Sequence, residues 1–436
     1  MRDLFLLAVL PLMLYAIAKR PFIGLGMWLW TALFFPNGWV YGPAQSIRYN
    51  LLFAGIAIFG YLVQPKKPKF RLGVTGTLII LFFVWTTLST ALGGGNPDIQ
   101  WNFWNRFWKI ILLFTFVVAI VDDKLHVDFM LWCVVLSVGF YGDLEALKYL
   151  ASGGGHKIAG MADHVLGDRN DLALGLVMII PICAYLLHEY GKQSRALWWA
   201  MLGTMGLLVA AVIGTSSRGG FVALLALGAY FFMKSERKLV VAAALGVLVL
   251  ALSQVVTTEW VARMNTIDSA DNDASFMGRV VAWKLSLILA TQHPFFGGGF
   301  KALEYFPVWS SLSQDFNSFS WFYTGDAVPD TRGSHAAHSV YFQVLGDHGF
   351  VGLALYLCIL LGSFAKARKI VRVARARKAP EWIARLATDL QLSLFAFCVG
   401  GAALSFAYFD LTFAIMGLLI VLESRILPAS LNKAPA

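Results

Sequence analysis

Charged side chains are scarce in this sequence. They make up 14% of its 436 residues, and hydrophobic residues make up 58%, whereas about a quarter of the residues in an average soluble domain are charged. The mean hydropathy of +0.67 agrees with that imbalance. Too little charge is present to cover a soluble surface, so the composition predicts an all-α polytopic membrane protein.

Several chemical signatures are also missing. The four cysteines lie inside apolar runs, so neither a disulfide framework nor a metal site is indicated. No Walker-type loop and no Gly-x-Ser-x-Gly motif occurs. The net charge of +10 resides mainly in short segments between apolar runs, which favours a membrane topology signal over nucleic-acid binding. The first apolar run lacks a small-residue cleavage site and is predicted to be a retained span.

Apolar runs long enough for helices fill most of the chain. A helix needs about 20 mainly apolar residues to cross a bilayer, and the first two runs are short and flanked by prolines. We predict about 12 transmembrane helices from 13 candidate segments: 4–18, 22–36, 49–64, 72–92, 103–121, 127–149, 170–187, 196–213, 219–233, 239–256, 340–364, 388–406 and 409–425.

Basic residues set the predicted orientation. Segment 64–71 has four basic residues and no acid, and segment 366–385 has eight basic residues against Glu381. The positive-inside rule places both in the cytoplasm. Alternation then puts the following on the outer side, the periplasm of a Gram-negative bacterium: 93–102, 151–169, 214–219, 257–337 and the turn at Asp410.

One long polar-rich segment, residues 257–337, interrupts the apolar pattern. It contains four tryptophans, and residues 276–289 have apolar side chains at helical spacing. We therefore predict one large periplasmic loop of amphipathic helices that caps the bundle. The predicted parts are 1–256, transmembrane helices with short loops; 257–337, the loop; and 338–436, the C-terminal helices and a cytoplasmic tail.

Three arginines near outer span ends are candidates for binding an anion. Arg218 lies in Thr-Ser-Ser-Arg-Gly-Gly, where hydroxyls and a guanidinium offer donors and glycines permit close approach. Arg279 lies on the predicted loop helix, and Arg169 begins another span. Together they suggest a basic pocket for a diphosphate. The structural alternative is that each arginine reaches a lipid phosphate or pairs with a neighbouring carboxylate.

Two histidines end the large loop. His335 and His338 are three residues apart, a spacing that fits one helical face, but the sequence offers no His-Glu-x-x-His pattern or third metal ligand nearby. The residues that follow favour His338 as an acid–base group, and Asp410 is a candidate to orient it. A structural histidine, hydrogen-bonded in a polar loop, is the alternative. Asp347 and His348 are interpreted as a polar helix kink, and Gly297–Phe300 as a turn.

These motifs together resemble the O-antigen ligase/polymerase superfamily, and most of all an O-antigen ligase. The resemblance rests on Ser217-Arg-Gly-Gly220, Gly278-Arg279, Pro294-Phe-Phe-Gly-Gly-Gly299 and His338-Ser-x-Tyr-x-Gln343 with Gly346-x-x-Gly349. It covers about residues 165–425. The N-terminal third is similar to a subgroup of O-glycosylation ligases associated with exosortase systems.

The resemblance implies a GT-C-like membrane glycosyltransferase in the bacterial inner membrane, with its active site facing the periplasm. The implied donor is a glycan on undecaprenyl diphosphate, and the acceptor is a sugar hydroxyl of lipid A–core in lipopolysaccharide biosynthesis. Transfer would be inverting, with no cofactor and no metal. Arg218 and Arg279 match family arginines that bind the diphosphate, with Arg169 as a further candidate, and His338 matches the general base.

Three other functions remain open from the sequence. Within the superfamily, an O-antigen polymerase or a protein O-oligosaccharyltransferase differs only in its acceptor. A lipid-carrier flippase or transporter is more distant, since it should carry functional charges deep in its spans and show an inverted repeat. Here the candidate charges lie at span ends.

Overall fold

A computed structural model describes residues 2–235, 238–253, 255, 257, 260–261 and 274–432. Within these ranges the chain forms helices, turns and loops but no strand. The predicted all-α class is therefore confirmed for the described part of the chain. The predictions for residues 262–273 of the large loop lie outside the described residues.

Each predicted apolar segment overlaps a helix in the described part of the chain. The helices are α1 Arg2–Lys19, α2 Pro21–Leu33, α3 Pro36–Trp39, α4 Tyr49–Val63, α5 Gly73–Leu92, α6 Pro97–Ile120, α7 Lys124–Ala151, α8 Arg169–Tyr190, α9 Arg195–Gly214, α10 Arg218–Lys234, α11 Lys238–Ser253, α12 Ala274–Gln292, α13 Phe306–Gln314, α14 Val340–Ala376, α15 Glu381–Gly401 and α16 Asp410–Leu431. Short 3₁₀ turns lie at Pro43–Ser46, Ala302–Glu304 and Phe316–Phe319.

In the described part of the chain, eight helices are long and apolar enough to span a membrane: α5, α6, α7, α8, α9, α14, α15 and α16. Helices α2 and α4 are apolar but shorter. A polytopic membrane protein is therefore supported, while the total of about 12 spans and the GT-C-like architecture stay predictions.

One predicted span near the C-terminus does not match the ends of its helix. The span predicted at 388–406 is a helix from Glu381 to Gly401, and residues 402–409 form a turn. The basic segment 366–385 is mostly helical, with its turn near Lys378. Lysine and arginine are good helix formers with long apolar stems, so charge density alone marks the membrane boundary and not the end of the helix.

Helix α8 lies near the centre of the bundle. It packs against α9, α10 and α15, and α14 packs against both α15 and α5. Side chains along α8 from Leu172 to Leu186 are almost entirely buried. The first residues of α8 are thereby held in a fixed position relative to the starts of α10 and α14.

Helix α14 is interrupted at Gly349, about two and a half turns after it begins at Val340. Gly349 has φ +69°, and a Cβ there would lie 2.6 Å from the carbonyl oxygens of Pro294 and Phe295. Only glycine fits this combination of backbone angle and close approach. The interpretation of Asp347 and His348 as part of a polar kink is confirmed by this break.

The described part of the large loop packs as a small separate core on the bundle. Helices α12 and α13 bury Leu285, Ile288, Trp309 and Leu312 between them. Helix α12 covers the 276–289 segment predicted from its helical spacing, and it packs against α14. The loop is therefore attached to the helices that carry the candidate residues.

Candidate functional site

Three of the predicted residues lie around the turn between α15 and α16, residues 402–409. Arg279 Nη1 donates a hydrogen bond to the Ala403 carbonyl at 3.3 Å. The His338 backbone N–H donates to Ser405 Oγ at 2.7 Å. Gly219, next to Arg218, packs so closely that an added Cβ would lie 3.3 Å from Ala403 Cβ. Elements far apart in sequence thus meet at one turn.

Arg218 is the first residue of α10 and is half-buried. The polar residues before it form the helix start: Ser217 Oγ accepts a hydrogen bond from the Gly220 N–H at 3.2 Å. Thr215 Oγ1 accepts one from the Ser217 N–H at 3.2 Å. The guanidinium is therefore attached to a helix N-terminus, where the backbone dipole also favours an anion.

Arg169 occupies the corresponding position on α8. Asp168 caps this helix by accepting a hydrogen bond from the Asn170 N–H at 2.7 Å. Asp168 also interacts electrostatically with His338. The start of α8 consequently lies at the same end of the bundle as the turn that Arg279 and His338 contact.

His338 lies in loop conformation immediately before α14. Its φ of +46° is in the left-handed region, which side chains other than glycine rarely adopt. Neighbouring contacts hold it there, since Trp283 Nε1 of α12 donates to the Ala337 carbonyl at 2.7 Å. In the described part of the chain, no hydrogen bond to the half-buried His338 imidazole is found.

Burial, followed by the positive charge of Arg279, lowers the pKa of the His338 imidazole from its ordinary value of 6.5. The negative charges of Asp168 and Glu304 act in the opposite direction. An imidazole in this environment is neutral at neutral pH and can accept a proton. Nearby carboxylates would then stabilise the imidazolium that forms.

His335 has a different environment. Its Nε2 lies 3.1 Å from Asp330 Oδ2, and its ring packs edge-on against Trp309. The two histidines do not share a helical face, because residues 333–338 are not helical. His335 therefore fits the alternative of a structural histidine in a polar loop. His338 is the histidine with an available imidazole.

Sequence reasoning missed the acidic side of the site. Glu304 is ion-paired with Lys301 Nζ at 3.0 Å, and its backbone carbonyl accepts a hydrogen bond from Ser334 Oγ at 2.6 Å. Asp410, the orienting residue expected from the sequence, is not among the charged groups found to act on His338 in the described part of the chain. Asp168 was detectable as a helix cap beside Arg169, but Glu304 offered no local signal.

One group of potential metal ligands occurs among the described residues, and it lies elsewhere. Asp122, Asp123 and His126 approach one another in the turn between α6 and α7. Helix α6 begins beside the turn of Gly297, Gly298 and Gly299, the glycine turn, where the Gly95 N–H donates to the Gly298 carbonyl. Its 24 residues place this group roughly 36 Å farther along the helix. His126 already contacts Asp122 there at 2.9 Å.

The fold and these contacts define a polytopic helical membrane protein with basic residues and a histidine gathered at one end of the bundle. Residues 203–357 match the model of the O-antigen ligase family, which supports the resemblance to the O-antigen ligase superfamily. The resemblance predicted from the motifs is thereby confirmed. The match contains Arg218, Arg279 and His338.

Two further comparisons concern other parts of the chain. Residues 1–191, which include Arg169, match a family of unknown function, DUF5935. An uncharacterized ABC transporter ATP-binding protein of Synechocystis sp. is 25% identical over 253 residues, which cover 48% of this chain and 38% of that protein. The chain therefore spans well under half the length of this relative.

The family match supports a ligase or polymerase type of function and a membrane glycosyltransferase-like enzyme.

Proposed function

We propose that the protein is an O-antigen ligase of the bacterial inner membrane. It transfers a glycan from undecaprenyl diphosphate to a sugar hydroxyl of lipid A–core on the periplasmic face, with inversion and without a metal. The observation that carries this proposal is the meeting of the Arg279 side chain, the His338 backbone and the start of α10 at residues 402–409.

The arginines account for donor binding. Arg218 and Arg279, with Arg169 as a weaker contributor, would bind the diphosphate and stabilise the charge that grows as the bond to the sugar breaks. A guanidinium keeps its positive charge at any physiological pH and can bind phosphate through two hydrogen bonds. Such fixed charges would do the work that a divalent metal does in many nucleotide-sugar enzymes.

His338 accounts for activation of the acceptor. Its neutral imidazole would take the proton of the acceptor hydroxyl while that oxygen bonds to the anomeric carbon. The bond between the anomeric carbon and the phosphate oxygen breaks, and undecaprenyl diphosphate leaves with its electron pair. The imidazolium then returns its proton to water, and Glu304 and Asp168 would stabilise its charge meanwhile.

The proposed topology follows the predicted one. Segments 93–102, 151–169, 214–219 and 257–337 and the 402–409 turn would face the periplasm, and residues 1–256, 257–337 and 338–436 would form the three parts of the chain. Contacts among α10, α12, α14 and the 402–409 turn support this one-sided arrangement.

The test is transfer by the purified protein in chelator, from an undecaprenyl-diphosphate glycan. Three acceptors are compared: lipid A–core, a second molecule of the same lipid-linked glycan, and a serine-containing periplasmic protein. Product on lipid A–core alone supports the ligase. Product on the second or third acceptor instead would assign a polymerase or a protein O-oligosaccharyltransferase, and carrier flipping without transfer would assign a flippase.

A further inference from the structure

A cavity of about 280 Å³ opens on the loop side of the bundle, away from the 402–409 turn. Its walls come from four elements: the turn between α5 and α6, the end of α12 with His293, the glycine turn at Gly298, and α13 with Tyr305 before it. The glycine turn beside it is docked on α14, because the Gly298 N–H donates to the Gly346 carbonyl at 2.9 Å and the Gly299 N–H to the Asp347 carbonyl at 2.8 Å. The cavity is thus formed by connected parts of the fold.

The lining of this cavity suits an uncharged polar ligand. It offers the amide of Gln292, the imidazole of His293, the phenol of Tyr305 and the hydroxyl of Ser311, and it contains no lysine, arginine, aspartate or glutamate. Among the described residues, no hydrogen bond occupies the side chains of His293, Tyr305 or Ser311. These groups are therefore available to a ligand, and a phosphate would find no fixed positive charge here.

Apolar groups complete the lining. Leu289, Val308 and Leu312 provide an apolar wall, and the ring of Tyr305 is half-buried at its edge. Gln292 is oriented by Asp315, whose Oδ2 accepts from the Gln292 amide at 2.8 Å. Hydroxyl, amide and aromatic groups around a small apolar surface match the alternating polar and apolar faces of a sugar ring.

The distance between Arg279 and the cavity indicates how far the bound sugar lies from the reacting bond. Arg279 and the cavity residues Leu289 and Gln292 lie on the same helix, 10 to 13 residues apart. At 1.5 Å per residue the cavity lies roughly 15 to 20 Å along α12 from Arg279. A sugar bound there is separated from the reacting bond by several other sugars.

We propose that this cavity is a distal saccharide subsite, which binds a sugar of the glycan several units from the bond being formed. The inference rests on the proposed transferase function and extends it. The bound glycan is a sugar chain of either the donor or the acceptor, and the two sources are separated below.

The test fills the cavity. Ser311→Trp places an indole in it, and Ser310→Trp adds the same side chain at the exposed neighbouring position that does not line the cavity. With a polymeric donor, Ser311→Trp is expected to raise the donor KM about tenfold, the equivalent of about 1.4 kcal/mol of lost binding. A donor with a single sugar should show no change, and Ser310→Trp should behave like wild type.

If the acceptor occupies the cavity, Ser311→Trp raises the acceptor KM for complete lipid A–core and not for a core truncated to its inner sugars. Unchanged KM values for both substrates, with transfer intact, would overturn the subsite and leave the proposed function standing. A second readout is independent of transfer: saturation-transfer NMR between purified protein and polysaccharide released from its lipid carrier. Signal lost in Ser311→Trp supports the subsite even if wild type transfers nothing, and absence of signal in wild type would overturn it.

Discussion

His338 combines an unusual backbone with an available imidazole. A left-handed backbone costs a non-glycine residue roughly 1–2 kcal/mol, and here it is maintained by the contacts of Ser405 and of the neighbouring Ala337. Strain of this kind tends to collect at functional positions. The strained backbone therefore favours a functional role for His338. His335 instead makes an ordinary ion-pair contact with Asp330.

The carboxylate of Glu304 should affect the pKa of the His338 imidazole. Since Glu304 raises the pKa of His338, Glu304→Gln should lower that pKa. The base is active only when neutral, so the rate falls as the pH drops through the pKa. The acid limb of the transfer rate should therefore move to lower pH in Glu304→Gln. The pH–rate profile measures this shift, with Asp326→Asn, an exposed loop acid, as the matched control.

Two results would contradict the assignment of His338 as the base. The acid limb of the pH–rate profile could move to higher pH in Glu304→Gln, or it could move equally in Asp326→Asn.

Residue chemistry was partly readable from the sequence. Arg218, Arg279 and His338 stand out because charges and histidines at span ends are costly and uncommon. Glu304 and Ser405 could not be selected, because their importance comes only from what the chain places beside them. The role suggested for Asp410 stays a prediction, because no contact between Asp410 and His338 is found among the described residues.

The interruption in α14 is the main irregular element of the fold. It exposes backbone groups that the glycine turn at 297–299 satisfies, and Asp347 Oδ1 accepts from the Lys301 N–H at 3.0 Å. The Phe350 N–H donates to the Pro294 carbonyl at 2.9 Å. A broken membrane helix is tolerated where neighbouring protein supplies such partners, and here those contacts also position Lys301 and Glu304.

A substitution of Gly349, at the break in α14, should therefore lower the stability of the protein strongly. In Gly349→Ala the new Cβ would meet two carbonyl oxygens at 2.6 Å in a left-handed backbone, so we expect a loss of stability of about 3 kcal/mol or more. Gly203→Ala in α9 meets nothing within 4 Å and should be neutral or slightly stabilising. Thermal unfolding in detergent compares the two variants, and equal midpoints would show that the break is not rigidly held.

Helices were easier to predict than their ends. Long apolar runs located the predicted spans, because a helix buried in lipid or protein needs apolar side chains along its length. The end of α15 at Gly401 could not be read, since residues 402–406 are as apolar as the helix before them. What ends the helix is the packing of this turn against α10, α12 and α14, which is a property of the tertiary structure.

Across the whole molecule, the basic segments between helices and the candidate site lie at opposite ends of the bundle. The basic segments around Lys67 and Lys369 lie at the ends of helices opposite to the 402–409 turn. The proposed topology requires the first to be cytoplasmic and the large loop to be periplasmic.

Cysteine labelling measures this topology. In a background with Cys358 and Cys398 replaced by alanine, Ser318→Cys should react with an impermeant maleimide in intact spheroplasts. Lys67→Cys should react only after the membrane is permeabilised. Both positions are exposed, so the reverse pattern would invert the topology and place the candidate site in the cytoplasm.

In the proposed reaction His338 supplies the base, and no metal is needed. The most direct measurement is the rate of glycan transfer by purified His338→Asn in chelator, beside wild type and His335→Asn. Asparagine tolerates a left-handed backbone but cannot serve as the base, so the variant should keep its thermal midpoint and lose at least about a hundredfold in rate. His335→Asn should stay within a few-fold of wild type. Wild-type rates in a folded His338→Asn protein would show that His338 is not the base.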